Sequence, residues 1–358
     1  MFVKSLDLLN FRNYGTLSVA PDPGINIIYG ANAQGKTNIL EAIYLAGTSK
    51  SHRGSRDKDM IRMGQAEAHI RMHIDKNEND YRIDMHLRKN KAKGIAIGGV
   101  PIRRAAELFG IVNMVFFSPE DLNIVKNGPS ERRKLIDRIL CELDKVYMSD
   151  LIRYNKCLGQ RNRLLHDLYV RPELFSEIAV WDEQLVHYGR RIIEKRSEFV
   201  ELLNQIAGDI HAGLTGENER ITLEYEPNVF PGEFMDRISA GIESDRRNKT
   251  TGQGPHRDDI GIRVNDMDLR LYGSQGQQRT AALSLKLSEI KIIEDWIHDK
   301  PILLLDDVLS ELDRSRQNFL LGSLKDTQTL ITCTGLDEFV QNRFEADKVF
   351  HVVNGTIE

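Results

Sequence analysis

The stretch Gly30-Ala31-Asn32-Ala33-Gln34-Gly35-Lys36-Thr37 constrains this chain more than any other. It matches G-x-x-x-x-G-K-[ST], and its flanks are what such a loop requires. Ile25-Asn26-Ile27-Ile28-Tyr29 before it has strand character, and Asn38-Ile39-Leu40-Glu41-Ala42-Ile43-Tyr44-Leu45 after it has helical apolar spacing. A strand, a glycine loop and a helix N-terminus surround one anion with backbone N–H groups and the positive end of a helix dipole. Gly30 and Gly35 allow backbone angles and a close phosphate approach that a Cβ would block. Lys36 can reach the β- and γ-phosphates, and the Thr37 hydroxyl can ligate Mg²⁺. The pattern predicts a nucleoside triphosphate site.

Its complement lies far along the chain. Pro301-Ile302-Leu303-Leu304-Leu305-Asp306-Asp307 is an apolar run ending in two acids, as in a buried parallel strand with carboxylates at its C-terminal end. Open α/β sheets bind ligands at that edge. Asp306 is expected to hold Mg²⁺ directly or through water, and Asp307 to face the attacking water as a general base. Roughly 270 residues separate Lys36 from Asp306, too many for a compact nucleotide-binding core, so an insertion is expected between the two halves.

Composition narrows the class. The chain has 358 residues, 41% hydrophobic and 28% charged, enough for one large core or two smaller ones. No apolar run approaches the ~20 residues of a membrane span, and Met1-Phe2-Val3-Lys4-Ser5-Leu6-Asp7 lacks signal-peptide character. Cys141, Cys157 and Cys333 are odd in number and widely spaced, which fits free thiols in a reducing cytoplasm better than disulfides or zinc. A net charge of −4 means that any nucleic-acid surface must be a local patch.

The first lobe reads as strands. Val3, Leu6 and Leu8 open one, and Ile70, Met72 and Ile74 alternate with polar residues. After the Asn77-Glu78-Asn79-Asp80 turn, Tyr81, Ile83, Met85 and Leu87 alternate again, and Gly98-Gly99 marks a second hairpin. Val112–Phe117 reads as a core strand, and Ser118-Pro119-Glu120-Asp121 as a helix start with a capping box. From about Pro129 to Arg247 the texture turns helical. Tyr147, Leu151, Tyr154, Leu158, Leu165 and Leu168 keep a three-four spacing interrupted by Arg161. After the link Val170-Arg171-Pro172-Glu173 it resumes from Ile178 to Ile206, interrupted by Lys195. Two helices of roughly 30–45 Å pairing as an antiparallel, coiled-coil-like hairpin are expected, with Ile221–Tyr225 as one strand. Ile260, Ile262 and Val264 alternate, Asn265-Asp266 turns, and Leu269 and Leu271 alternate back. Tyr272-Gly273-Ser274-Gln275-Gly276-Gln277-Gln278-Arg279 then opens a helix running to about Ile297. This small polar turn is a second anion site, which suggests a triphosphate held between two subunits.

The P-loop, this Ser-x-Gly-Gln turn, the Asp-Asp strand and Ser310-Glu311-Leu312-Asp313, in that order, resemble ABC-type ATPases of DNA repair and chromosome maintenance. Over the whole chain the resemblance is closest to the bacterial RecF family. Leu8–Tyr14, Pro119–Leu122, Pro129–Arg133 and Gly254-Pro255-His256-Arg257-Asp258-Asp259 add to it. It implies an ATP-dependent homodimer that binds duplex or gapped DNA, acts in recombinational gap repair, replication and SOS induction, and promotes RecA loading with a RecR-type mediator protein. It implies ATP and Mg²⁺ as cofactors and a weak, switch-like ATPase. In it, Gly30 to Thr37, Arg12, Ser274, Gly276 and Gln277 would hold nucleotide, and Asp307 stands where many relatives have Glu. Thr332 or Thr334 stands near the place of a γ-phosphate-sensing His, while His256 reads as structural. The basic segments at His52, Arg53 and Arg56 and at Lys89, Lys91 and Lys93 are the candidate DNA contacts; as turns they read equally well as solvated loops. The expected fold is an α/β ABC-type head of mixed sheet built from residues 1–122 and 250–358, with a mainly helical lobe at 123–249, in a cytoplasmic protein without membrane association. The alternatives are a structural chromosome-maintenance or break-repair ATPase, which needs much longer arms, and a transporter subunit.

Overall fold

The computed structural model describes residues 1–168, 171, 173, 175–322, 324, 326–335 and 346–358, with Glu311 described by its backbone alone. Val170 and Pro172 of the expected link lie outside them. The chain divides into two compact units, Met1–Asp121 with Glu289–Glu358, and Leu122–Ser288.

In chain order, the first unit opens with β1 (Phe2–Phe11), β2 (Tyr14–Val19), β3 (Ile25–Tyr29) and helix α1 (Lys36–Thr48). Then come β4 (Glu67–Lys76), β5 (Asn79–Arg88), β6 (Lys91–Ile97), β7 (Val100–Pro101) and β8 (Met114–Phe117). The second unit holds α2 (Asn123–Lys126), α3 (Pro129–Leu143), α4 (Lys145–Asp167), α5 (Phe175–Thr215) and β9 (Ile221–Glu226). It continues with α6 (Phe234–Ala240), α7 (Ile242–Asn248), β10 (Asp259–Val264), β11 (Met267–Asp268) and α8 (Leu269–Tyr272). Helix α9 (Gln275–Ile297) leads back to β12 (Ile302–Asp306), α10 (Arg314–Gly322), β13 (Thr329–Cys333), β14 (Lys348–Val353) and β15 (Thr356–Ile357) in the first unit.

Two sheets build the first unit. The antiparallel one has the order β2-β1-β4-β5-β6-β7. Its central strands alternate: Ala68, Ile70, Met72 and Ile74 of β4 and Ile83, Met85 and Leu87 of β5 are buried, and the residues between them face outward. Asn77 and Glu78, at φ 52 and 62, make the tight β4–β5 turn. The second sheet has the order β15-β14-β3-β13-β12-β8, and β8, β12, β13, β3 and β14 run parallel. Ile302, Leu303, Leu304 and Leu305 are all buried, as a strand covered on both faces requires. One apolar core joins both sheets to Ile39, Leu40, Ile43 and Leu45 of α1.

In the second unit α4 and α5 pair antiparallel: Tyr147 meets Arg196, Asp150 meets Arg191, Cys157 meets Gln184 and Arg161 meets Asp182. Arg161 is therefore no interruption of the apolar stripe. It is fully buried inside the stripe, 2.5 Å from Asp182 and 2.6 Å from Asp245. At 41 residues α5 is also longer than expected, about 60 Å. Leu269 and Leu271 do not form a returning strand. Asp268 accepts the N–H groups of Arg270 and Leu271 and turns them into the short helix α8. The second compact unit extends to Ser288, and within it β10 pairs along its length with β9.

Arg196 organises the second unit. Almost wholly buried, it bonds Asp137 at 2.9 Å, Asp258 at 2.9 Å and the Pro255 carbonyl at 2.6 Å. Asp258 also accepts the Tyr225 hydroxyl and the Asn228 N–H, and the neighbouring Asp259 pairs with Arg132, so arginines hold both acids of the Gly254–Asp259 string. Removing the guanidinium strands the buried Asp258 carboxylate. Arg196→Ala should therefore cost about 3–5 kcal/mol, read as a lower urea midpoint for the helical unit. A midpoint matching that of an exposed control such as Arg237→Ala would show that the network is not structural.

Candidate functional site

The P-loop leaves β3 at Gly30 (φ 153) and enters α1 at Gly35 (φ 115), with Ala33 also left-handed at φ 64. A Cβ on Gly30 would lie 2.3 Å from the Val352 carbonyl oxygen, and one on Gly35 2.4 Å from Asn13 Nδ2. Gly30 therefore demands glycine on space as well as on angle, because it faces backbone, whereas at Gly35 the atoms met are side-chain ends and the angle decides. The loop is held from outside by groups to which the sequence assigned no such role. Tyr14 Oη donates to the Gly35 carbonyl (3.0 Å), Asn13 Nδ2 to the Gln34 carbonyl (2.8 Å), and the Asn354 N–H to Gln34 Oε1 (2.5 Å). Lys36, buried, folds Nζ back onto the Gly30 and Ala31 carbonyls at 2.7 and 3.0 Å. Asn32 is exposed at the loop crest.

Across the sheet, β13 lies between β3 and β12, and its Thr332 sits opposite Asp306. Thr37 Oγ1 donates to Asp306 Oδ1 at 2.7 Å, and Thr332 Oγ1 to the same oxygen at 2.8 Å. Two residues roughly 270 positions apart in sequence thus meet at the strand ends. Asp307 follows at φ 54, an unusual angle for a non-glycine residue, and its N–H donates to Thr332 Oγ1 at 3.0 Å. Such angles collect at functional sites. Thr332 therefore spans both acids, whereas Thr334 is exposed. Ser310 Oγ donates to the Asp307 carbonyl, while the Glu311 side chain lies outside what is described.

In the second unit, Ser274 and Gln277 form a reciprocal cap at the start of α9. The Ser274 N–H reaches Gln277 Oε1 at 3.0 Å and the Gln277 N–H reaches Ser274 Oγ at 3.2 Å. Ser274, Gln275 and Gly276 are exposed, as are Leu271 and Tyr272 just before them. His256 stands apart as a packing residue. Its ring nitrogens meet Tyr154 Oη at 2.7 Å and the Thr251 carbonyl at 2.9 Å, and burial lowers its pKa.

Three expectations change. Arg12, expected at the nucleotide, has its fork on Glu41 of α1 at 2.8 Å through both nitrogens, and also meets Ser55 Oγ and the Asp59 carbonyl. Burial raises the Glu41 carboxyl, but Arg12 and Ser51 outweigh it and hold it below the usual range. His52 is no surface cation. Its ring stacks on Phe116 at 3.9 Å, and burial pulls its pKa to about 4, so it is neutral at pH 7. Lys93 is tied down, bonding the Ser49 carbonyl at 2.6 Å and Asp57 at 3.0 Å. That bond does, however, join the two basic segments, so exposed Arg53, Arg56, Lys89 and Lys91 flank one contact. Elsewhere in the unit, Glu67, His69 and His86 cluster on the outer face of β4 and β5, where the two rings stack at 4.1 Å and 20° and both turn Nε2 toward Glu67.

A P-loop strand inside a parallel sheet, acids at the end of a strand two places away, and a mainly helical insertion define an ABC-type ATPase head. The chain matches the RecF/RecN/SMC N terminal domain family over residues 2–358. It is 61% identical to the DNA replication and repair protein RecF of Agathobacter rectalis, covering 100% of this chain and 99% of that one. It is also similar to a solved RecF–ATP structure of the RecFOR pathway, at 35% identity and TM-score 0.93, covering 100% and 97% of the two chains. A Pyrococcus furiosus Smc head with an extended coiled coil, 18% identical at TM-score 0.59 and covering 100% and 95%, shares the fold. The chain belongs to the RecF family of DNA replication and repair proteins.

The His52 environment gives a pH signature. A histidine whose folded pKa is depressed stabilises fully above its unfolded value near 6.5, and that stability is lost as pH falls through about 4. Between these limits the slope is about 1.4 kcal/mol per pH unit. His52→Leu should flatten the fall in urea midpoint between pH 6.5 and pH 4.5; equal slopes in variant and parent would mean that His52 is not held neutral.

Proposed function

We propose that the protein is an ATP-driven DNA clamp of recombinational repair and replication. ATP joins two copies, each placing its signature turn against the other's P-loop; the dimer grips duplex or gapped DNA, and hydrolysis releases it. The pairing of Thr37 with Asp306 at the end of the P-loop helix carries this reading. A hydroxyl and a carboxylate oxygen 2.7 Å apart, beside a buried lysine, are the donor set a hard cation takes beside a triphosphate. Mg²⁺ fits those two residues and would supply charge neutralisation on the phosphates. Lys36 exchanges the Gly30 and Ala31 carbonyls for phosphate oxygens, and residues 30–37 offer their N–H groups. The segment 250–288 packs with the helices yet carries the signature, so functionally the head comprises residues 1–122 and 250–358, and the lobe 123–249.

Asp307 acts as the general base. It is one methylene shorter than Glu, which supports slow, switch-like turnover. Arg53, Arg56, Lys89 and Lys91 contact DNA phosphates. Membership of the RecF family supports a RecR-type mediator as partner, promotion of RecA loading and SOS induction, and a cytoplasmic location. Helices of 23 and 41 residues make arms too short for a chromosome-maintenance ring.

Asp307→Asn should bind ATP and dimerise but hydrolyse it about 10²–10⁴-fold more slowly; turnover at the parent rate would remove Asp307 from the chemistry. Ser274→Arg should bind nucleotide as a monomer, fail to dimerise in ATP on sizing, and bind DNA only at the ATP-free level. Its salt dependence should then be shallower by roughly 0.9 in log–log slope per lost phosphate contact. A monomeric variant with undiminished DNA affinity and slope would end the clamp mechanism.

A further inference from the structure

Gln277 does more than cap α9. Its Oε1 takes the Ser274 N–H, and its Nε2 donates to Glu219 Oε1 at 2.9 Å. A carboxylate accepts and cannot donate, so Glu219 fixes which end of the Gln277 amide faces the turn. With Ser274 Oγ already accepting the Gln277 N–H, the serine keeps its own proton for donation.

Glu219 is itself rigidly placed. It lies in the α5–β9 connection, after the left-handed pair Gly216 and Glu217 at φ 61 and 63. The Asn218 N–H bonds the Thr215 carbonyl, and Arg220 exchanges bonds with Asn265: its N–H to Asn265 Oδ1, its carbonyl from the Asn265 N–H. Its second oxygen stands 3.6 Å from Nε2 of His211, a fully buried residue on the last turns of α5. His211 Nδ1 meets Ser284 Oγ at 2.9 Å, and Ser284 Oγ also reaches the Thr280 carbonyl at 2.9 Å. Thr280 in turn donates to the Gly276 carbonyl at 2.8 Å. The chain of contacts starts at the signature, passes through the base of the 41-residue helix and returns to the signature.

We propose that Glu219 is a positioning residue for the signature turn, and that with His211 it couples the orientation of Ser274 and Gln277 to helix α5. This rests on the reading that the signature engages the triphosphate of a second copy. Movement of α5, whose far end belongs to the helical hairpin, is then felt at the nucleotide through one carboxylate.

The test uses full-length Glu219→Ala, Glu219→Gln, Gln277→Glu and the exchange Glu219→Gln/Gln277→Glu, each followed by ATP-dependent dimerisation and nucleotide affinity at limiting protein. Glu219→Ala should weaken dimerisation about 10–100-fold, the range for losing a bond to a charged group, with monomer nucleotide affinity unchanged. Glu219→Gln, still an acceptor, should lose less. Gln277→Glu keeps an acceptor for the Ser274 N–H but opposes two carboxylates, and should be at least as defective as Glu219→Ala. The exchange restores a donor–acceptor pair with its sense reversed and should recover most of the loss, a rescue that simple misfolding would not give. It remains decisive if Glu219→Ala fails to fold. Parent-like dimerisation of Glu219→Ala, or an exchange variant no better than Gln277→Glu, would overturn the proposal. Ser274→Arg separates the two readings: if it too dimerises normally the signature reading fails, and if it alone is defective only the Glu219 assignment fails.

Discussion

Everything at the nucleotide site depends on one parallel ladder. The P-loop strand, near the N-terminus, is hydrogen-bonded on one side to β13 and on the other to β14, both from the last part of the chain. Parallel neighbours cannot be joined by a tight turn and need a long connection. Here that connection includes the whole second unit. The buried apolar run of β12 and the core contributed by α1 keep the ladder together, and hydrophobic burial on both strand faces outweighs the entropy of closing so large a loop, which grows only logarithmically with length.

The ladder's register then sets the chemistry. Because Asp306 aligns with Thr332, and Thr332 lies one strand from the P-loop, a single aspartate oxygen receives both the Thr37 and the Thr332 hydroxyl. A one-residue slip of β12 would turn Asp306 to the other face. Positive φ at Gly30, Gly35 and Asp307 concentrates conformational cost at these strand ends, with Tyr14, Asn13 and Gln34 bonding to hold it.

The second unit solves a different problem. A thin two-helix hairpin has little core, and it places two arginines within its seam, each matched by carboxylates. Buried ion pairs are poor sources of net stability but punish a wrong register severely. Arg161 aligns α4 with α5 through Asp182, and Arg196 fixes the Gly254–Asp259 loop that leads toward the signature through Pro255 and Asp258. The same long helix carries His211 on its last turns, and the connection after it sets Glu219 beside the signature itself.

The sequence alone determined what local pattern can encode. Strand, glycine loop and helix announced the phosphate cradle, since that geometry depends on consecutive residues. The Asp-Asp strand was legible because burial on both faces demands an unbroken apolar run. The alternating hairpins and the helical insertion were legible from their periods. Tertiary structure decided which polar side chains meet. Arg161 reads as a break in an apolar stripe, and becomes its most buried member only because Asp182 and Asp245 arrive from other helices. Nothing local to Arg12 announces that Glu41 takes its fork, and His52 looks like a surface cation until Phe116 stacks on it. Glu219 carries no motif and is visible only because a turn after a 41-residue helix sets it against Gln277. Periodicity is a property of neighbours in the chain. Charge compensation is a property of neighbours in space, and only the fold supplies those.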